Sequence, residues 1–146
     1  VDKLGQNGFE QYEISNFAKP QKFSRHNMNY WKNREYLGFG LASHGYFEHN
    51  RYSHEISLEG YITNPFPINK KLISIKERQE DEVILNLRTK DGVDLTGFKE
   101  QYHVDFLIEY KSVLEKYSEF FEVTSNKVSL TTEGFLVSNF ILSEFL

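Results

Sequence analysis

Asn64-Pro65-Phe66-Pro67 divides this chain. Two of the chain's three prolines fall within these four residues. Proline lacks a backbone N–H and fixes φ, so neither a helix nor a central strand runs through them. The stretch predicts a junction between Asn64 and Ser74. Residues 1–64 lie on one side, 65–74 read as a linker, and 75–146 lie on the other.

Beyond the junction the pattern is helical. Glu77 to Arg88 reads as a helix with an apolar patch at Val83, Ile84, Leu85 and Leu87. Asp91-Gly92 turns the chain, and Asp94 is placed to cap a short helix to Tyr102. A stronger helix is expected next. Phe106, Tyr110, Val113, Leu114, Tyr117, Phe120 and Phe121 fall on one face at helical spacing. Phe121 to Thr124 and Lys127 to Leu130 are β-prone runs split by Ser125-Asn126. Thr131 can cap a last helix through Phe145. Helix, helix, helix, hairpin, helix is the order of a winged-helix module.

Before the junction the elements are shorter. Phe9 to Phe17 reads as a strand, with Tyr12 and Ile14 alternating against Glu13 and Ser15. Ser24 caps a short helix through Trp31 towards Tyr36, and Gly38-Phe39-Gly40 breaks it. Ser43 to Tyr52 reads as two strands joined at Glu48-His49-Asn50. Ile56 to Ile62 is ambiguous. The chain opens at Val1 in what reads as a helix end, with Gly5 and Gly8 as stop signals. It therefore reads as the tail of a larger soluble protein.

Composition narrows the chemistry. Apolar residues make up 39% and charged residues 26%, with 13 Phe and 9 Tyr, so rings can build a core in a short chain. There is no cysteine, which excludes disulfides, thiolate nucleophiles and thiolate metal sites within these residues. Nothing approaches the roughly 20 apolar residues of a membrane span, and there is no signal-peptide pattern. A cytoplasmic setting fits. Residues 1–74 carry a net charge of +2 and residues 75–146 a net of −6. The first part is the better anion binder, and the second is a poor partner for nucleic acid.

Three local patterns are candidates for chemistry. In Arg25-His26-Asn27-Met28-Asn29-Tyr30-Trp31, helical spacing puts His26 beside Tyr30 and Asn27 beside Trp31. An imidazole flanked by rings suits a haem or porphyrin, which needs an axial nitrogen and flat apolar surfaces. The same spacing equally describes an amphipathic helix whose rings are core. Gly38-Phe39-Gly40 is a weak G-x-G, either a ligand-approach loop or a tight turn. Arg51 in Arg51-Tyr52-Ser53 suits a carboxylate or phosphate, or is a solvated hairpin residue. No metalloprotease, P-loop, nucleophile-elbow or EF-hand motif is present. Glu80-Asp81-Glu82 reads as a solvated helix start.

Taken in order, the strings form a series. They run Tyr12-Glu13-Ile14-Ser15-Asn16-Phe17-Ala18, Ser24-Arg25-His26-Asn27 with Tyr30-Trp31, Tyr36-Leu37-Gly38-Phe39-Gly40, His44-Gly45-Tyr46 and Arg51-Tyr52-Ser53. The series resembles the C-terminal part of the HemW-type haem chaperones, which are similar to oxygen-independent coproporphyrinogen III oxidases among radical SAM proteins. Asn86-Leu87-Arg88, Gly92-Val93 and Leu130-Thr131 with Gly134 extend the likeness. Three positions depart from the family's usual pattern. Pro20-Gln21 stands where Pro-Gly is common, Asn86 where Gly is common, and Ala42-Ser43 as the small pair before His-Gly.

The resemblance implies an α+β fold. Residues 1–64 would be the terminal strand and edge of a partial TIM-like barrel, and 75–146 a small helical, winged-helix-like domain. It implies a parent with a [4Fe-4S] cluster and S-adenosylmethionine on an upstream three-cysteine motif. It assigns haem to His26, Asn27, Tyr30 and Trp31, with His26 on the iron, and places Gly38 and Gly40 near S-adenosylmethionine. The implied role is haem delivery to an acceptor protein, including a membrane-associated one. The alternatives are oxidative decarboxylation of coproporphyrinogen III, or residues 75–146 as a protein-interaction module. Exposed strand edges would let such a fragment self-associate.

Overall fold

The computed structural model describes all of residues 1–146. In chain order, one turn of helix (α1, Asp2–Gly5) precedes two short strands, β1 (Glu10–Gln11) and β2 (Phe17–Ala18). Helix α2 (Arg25–Trp31), strands β3 (His44–Phe47) and β4 (Asn50–Ser53), helix α3 (Leu58–Thr63) and strand β5 (Ile68–Leu72) complete the first part. The second part opens with α4 (Ile75–Asn86), β6 (Val93–Asp94), α5 (Leu95–Tyr102), α6 (Phe106–Glu109) and α7 (Lys111–Lys116). It closes with β7 (Phe121–Val123), β8 (Lys127–Leu130), α8 (Thr132–Leu136) and α9 (Ser138–Leu142). No helix is long and apolar enough to cross a membrane. The fold is thus mixed helix and sheet.

The expected strand from Phe9 to Phe17 folds back on itself instead. β1 pairs antiparallel with β2, Glu10 opposite Ala18 and Gln11 opposite Phe17. The turn closes locally, with Tyr12 N–H on the Asn16 carbonyl at 3.2 Å and Ser15 N–H on Glu13 Oε2 at 3.1 Å. The alternation Tyr12/Ile14 reports a different pairing. Ile14 N–H bonds the Arg88 carbonyl at 2.9 Å and Lys90 N–H the Tyr12 carbonyl at 3.1 Å. The segment is thereby clamped to the chain just after α4. Glu13, expected on the solvent side, is fully buried there.

Two non-glycine residues of the β3–β4 turn, Glu48 and His49, have φ of 48° and 61°. Positive φ at both central positions is the geometry of a type I′ hairpin, which matches the strand twist. Phe47 pairs with Asn50, and the ladder runs to His44 opposite Ser53. The expected hairpin is present, one residue tighter. The linker expectation for 65–74 needs correction. β5 lies inside it and pairs antiparallel with β4, Asn50 opposite Leu72. The prolines confine the break to residues 64–67. Past Pro67 every residue regains its N–H and adds to the open edge of β4, and Lys70 and Lys71 suit an edge strand.

Gln21, the departure noted above, has φ of 62°, in the left-handed region that glycine occupies freely. Gln21→Gly should raise stability by about 0.5–1 kcal/mol, the relief of left-handed strain less the added freedom of the unfolded chain. Chemical denaturation checks it. A variant no more stable than the parent would mean that the turn carries no such strain.

In the second part the caps act as read. Asp94 accepts from Thr96 N–H at 3.1 Å, and Thr131 from Gly134 N–H at 3.0 Å. Helix α4 starts two residues earlier than expected, because Ser74 and Glu77 form a capping box. With Lys71 and Ser74 bonded to it, the Glu77 carboxyl is held down at about 2. The single helix expected over 106–121 is broken into α6, α7 and a 3₁₀ turn at Ser118–Phe120. Its apolar face nevertheless holds. Phe106, Tyr110, Val113, Tyr117 and Phe121 are all buried. The last expected helix is likewise α8, α9 and a 3₁₀ turn. β8 is central between β6 and β7 in a three-stranded antiparallel sheet.

Packing is lopsided. The 16-residue apolar core runs from Val83 to Phe145 and contains no residue of 1–74; Ile14 only packs against it. The first part buries Tyr12, Tyr46, Tyr52 and Ile73. It leaves Phe39, Ile56, Ile62 and Phe66 more than 70% exposed.

Candidate functional site

Helix α2 carries the first candidate. Ser24 caps it, accepting from Asn27 N–H at 3.3 Å. No residue of α2 is buried. The i, i+4 spacing brings His26 and Tyr30 together, ring centroids 4.9 Å apart and planes at 89°. The chain of rings continues, with Tyr36 lying 4.6 Å from Tyr30 at 75°. His26 is exposed, while Asn27, Tyr30 and Trp31 are half-buried. The Trp31 Nε1 atom is buried with no hydrogen-bond partner. Past the helix, Asn33 Nδ2 donates to the Arg78 carbonyl of α4 at 3.3 Å, anchoring this end. An exposed imidazole edge-on to a phenol, on a pinned helix, is chemically suited to donate a nitrogen lone pair to a metal centre brought from outside.

The second candidate, Gly38-Phe39-Gly40, is held by side chains that sequence reasoning did not single out. Tyr52 Oη accepts from Gly38 N–H at 3.1 Å, and Tyr61 Oη from Gly40 N–H at 3.1 Å. Between these phenols sits buried His54, edge-on to Tyr52 at 5.6 Å and to Tyr61 at 5.7 Å. Ser43 Oγ bonds His54 Nδ1 at 2.9 Å and donates to the Gly40 carbonyl at 2.8 Å. With the serine proton spent on Gly40, its oxygen accepts from a proton on Nδ1, which fixes the tautomer. The signal was present as Tyr52 near the end of β4 and His54 just past it, two residues apart, but which loop they face depends on pairing.

Both glycines have a backbone explanation. A Cβ at Gly38 would lie 2.0 Å from the His44 carbonyl oxygen, and Gly40 has φ of +100°. Gly45 packs directly under Tyr52, whose ring a Cβ would strike. Since both loop amides are already bonded within the chain, neither is free to donate to a cofactor. The loop instead presents Phe39, 79% exposed, on a rigid base.

The third candidate, Arg51, forms a short ion pair with Asp81 of α4. It borders a recess of about 230 Å³ together with Tyr30, Arg34, Tyr36 and Tyr46. Burial, and secondarily the neighbouring Tyr30, push the Tyr36 phenol up, with Arg51 opposing. Arg34, Tyr36 and Tyr46 were not identified as site residues from the sequence. Tyr36 meets the His26–Tyr30 pair directly through its ring contact with Tyr30, and the bridge between Tyr36 and Tyr46 brings Tyr46 to it.

No family model matches the chain. Heme chaperone HemW of Bacillus subtilis is 34% identical over 100% of this chain and 40% of its own length. HemW of Lactococcus lactis is 30% identical over the same shares. A mitochondrial radical S-adenosyl methionine domain-containing protein 1 of Danio rerio is 50% identical over 30% of this chain and 10% of its own. Among solved structures, the coproporphyrinogen III oxidase HemN of Escherichia coli, a radical SAM enzyme, superposes with a TM-score of 0.75. That match covers 99% of this chain and 38% of HemN at 14% identity, a likeness of fold. The chain spans 40% of the length of these HemW relatives. The sequence likeness to these two HemW proteins runs along all of its residues.

Proposed function

We propose, on the premise that these 146 residues are HemW-like from end to end, that the protein binds haem and delivers it to acceptor proteins. What carries the reading is the 34% and 30% identity, along the whole of this chain and 40% of theirs, to two haem chaperones, joined to an exposed imidazole paired with a ring on α2. His26 is the iron ligand in this reading. Tyr30 and Trp31 flank the macrocycle, and Asn27 borders it. Haem is cargo here, not a resident group.

Residues 1–64 are then the terminal strand and edge of a partial TIM-like barrel, and 75–146 a winged-helix-like module. The exposed apolar side chains of the first part support this division, since a barrel edge is completed by other residues. A [4Fe-4S] cluster and S-adenosylmethionine belong to the reading of the whole protein. Their thiolate ligands lie outside these residues, which contain no cysteine. Gly38 and Gly40 would act near S-adenosylmethionine by shaping the loop, since their amides are taken. The setting is the cytoplasm, and the acceptor a respiratory haem protein.

The test is transfer. The full-length protein loaded with haem should pass it to an apo haem protein and show no release of carbon dioxide from coproporphyrinogen III. Decarboxylation without haem uptake would reverse the choice in favour of the oxidase reading.

A further inference from the structure

The recess beside Tyr30 has the chemistry of an anion site. Its volume of about 230 Å³ falls below the roughly 300–1,000 Å³ of pockets that enclose a drug-sized molecule. It has room for a carboxylate arm, not for a ring system. Tyr46 lines it and is 6% exposed, yet its hydroxyl is buried without a hydrogen-bond partner. Buried hydroxyls are nearly always bonded, so an orphaned one calls for a partner. Two guanidinium groups border the same space. Arg51 is neutralised by Asp81, whereas Arg34 forms no ion pair. Arg34, exposed and without an ion pair, thus shares the recess with an unused phenol donor, and it also borders a neighbouring cleft that carries Glu82, Asp91 and Asp94. Guanidinium with a phenol O–H is a donor set for a carboxylate.

The position of the recess says which carboxylate. Tyr30 is shared, with one contact of its ring to His26 at 4.9 Å and another to Tyr36, a wall of the recess, at 4.6 Å. We propose that the recess takes a carboxylate arm of the porphyrin whose iron His26 holds, with Arg34 and the Tyr46 hydroxyl as its donors. This rests on the haem-binding reading above and adds to it the group that fixes the orientation of the ring. Tyr36, protonated and half-buried, borders the arm from the side.

Haemin and haemin dimethyl ester separate the two ideas, because the ester keeps iron and ring but has no anion. In the full-length protein, haemin should bind about tenfold more tightly than the diester, the scale of a hydrogen bond to a charged group. Arg34→Gln and Tyr46→Phe should each shrink that preference several-fold. Both should change diester affinity far less than haemin affinity and leave the Soret position in place, which doubles as the check on folding. Equal binding of haemin and diester by the unsubstituted protein, or variants that keep the full preference, would overturn the inference and leave haem binding standing. Failure to bind either ligand would overturn the haem reading, and this inference with it.

Discussion

Val113→Asp is expected to abolish the cooperative melt of residues 75–146. Val113 on α7 is 9% exposed and belongs to the 16-residue apolar core. The same face carries the rings of Phe106 and Tyr110, 4.9 Å apart, and Tyr110 packs at a tilt against Phe145 at 5.0 Å. The residues of that cluster are all apolar or aromatic. A carboxylate there would be buried unpaired, or protonated at a large cost, and either way several kcal/mol are lost. Stabilities of domains are about 5–15 kcal/mol, so one such change takes most of the margin. Ile108→Asp is the matched control. It lies five residues earlier in the same stretch but is 75% exposed, and should move the melt little. A Val113→Asp protein that melts like the parent would show that this face of α6 and α7 is not packed as described.

That experiment probes something the sequence made legible. The face from Phe106 to Phe121 was readable because burial at three- and four-residue spacing survives a break in the helix. The break itself was not readable, since the apolar period runs on through Tyr110 and Tyr117. Caps at Ser24, Asp94 and Thr131 were legible for another reason, in that a cap bonds an amide two or three residues away and needs nothing distant. β5 was hidden because Ile68-Asn69-Lys70-Lys71-Leu72 is a polar edge strand, and its existence depends on the open side of β4. The hold of Tyr52 and Tyr61 on Gly38 and Gly40 was hidden likewise, because it spans 14 and 21 residues of sequence. Of the site, then, the local half could be read. His26 with Tyr30 follows from helical spacing alone, whereas Tyr46 joins Arg34 and Tyr36 only through the pairing of Tyr36 with β3.

His26→Ala in the full-length protein should remove or displace the Soret band of the haem complex. The imidazole is exposed on α2 and set against Tyr30 at 4.9 Å, so its loss removes a nitrogen donor without opening the core. Water or a weaker donor would take its place on the iron. At metal sites, changes that only touch a ligand's outer partners cost about 10- to 100-fold in affinity, and loss of the ligand itself should cost at least as much. His49→Asn provides the comparison. That residue sits on the β3–β4 turn with φ of 61°, which asparagine tolerates, and it should leave band and affinity unchanged. The two histidines are both exposed and both in the first part, so general loss of charge or of imidazole cannot mimic the difference. If His26→Ala keeps the parent spectrum and affinity, the iron ligand is elsewhere. The His26–Tyr30 pair would then be a packing feature of α2, and the oxidase reading would regain equal standing with delivery of haem.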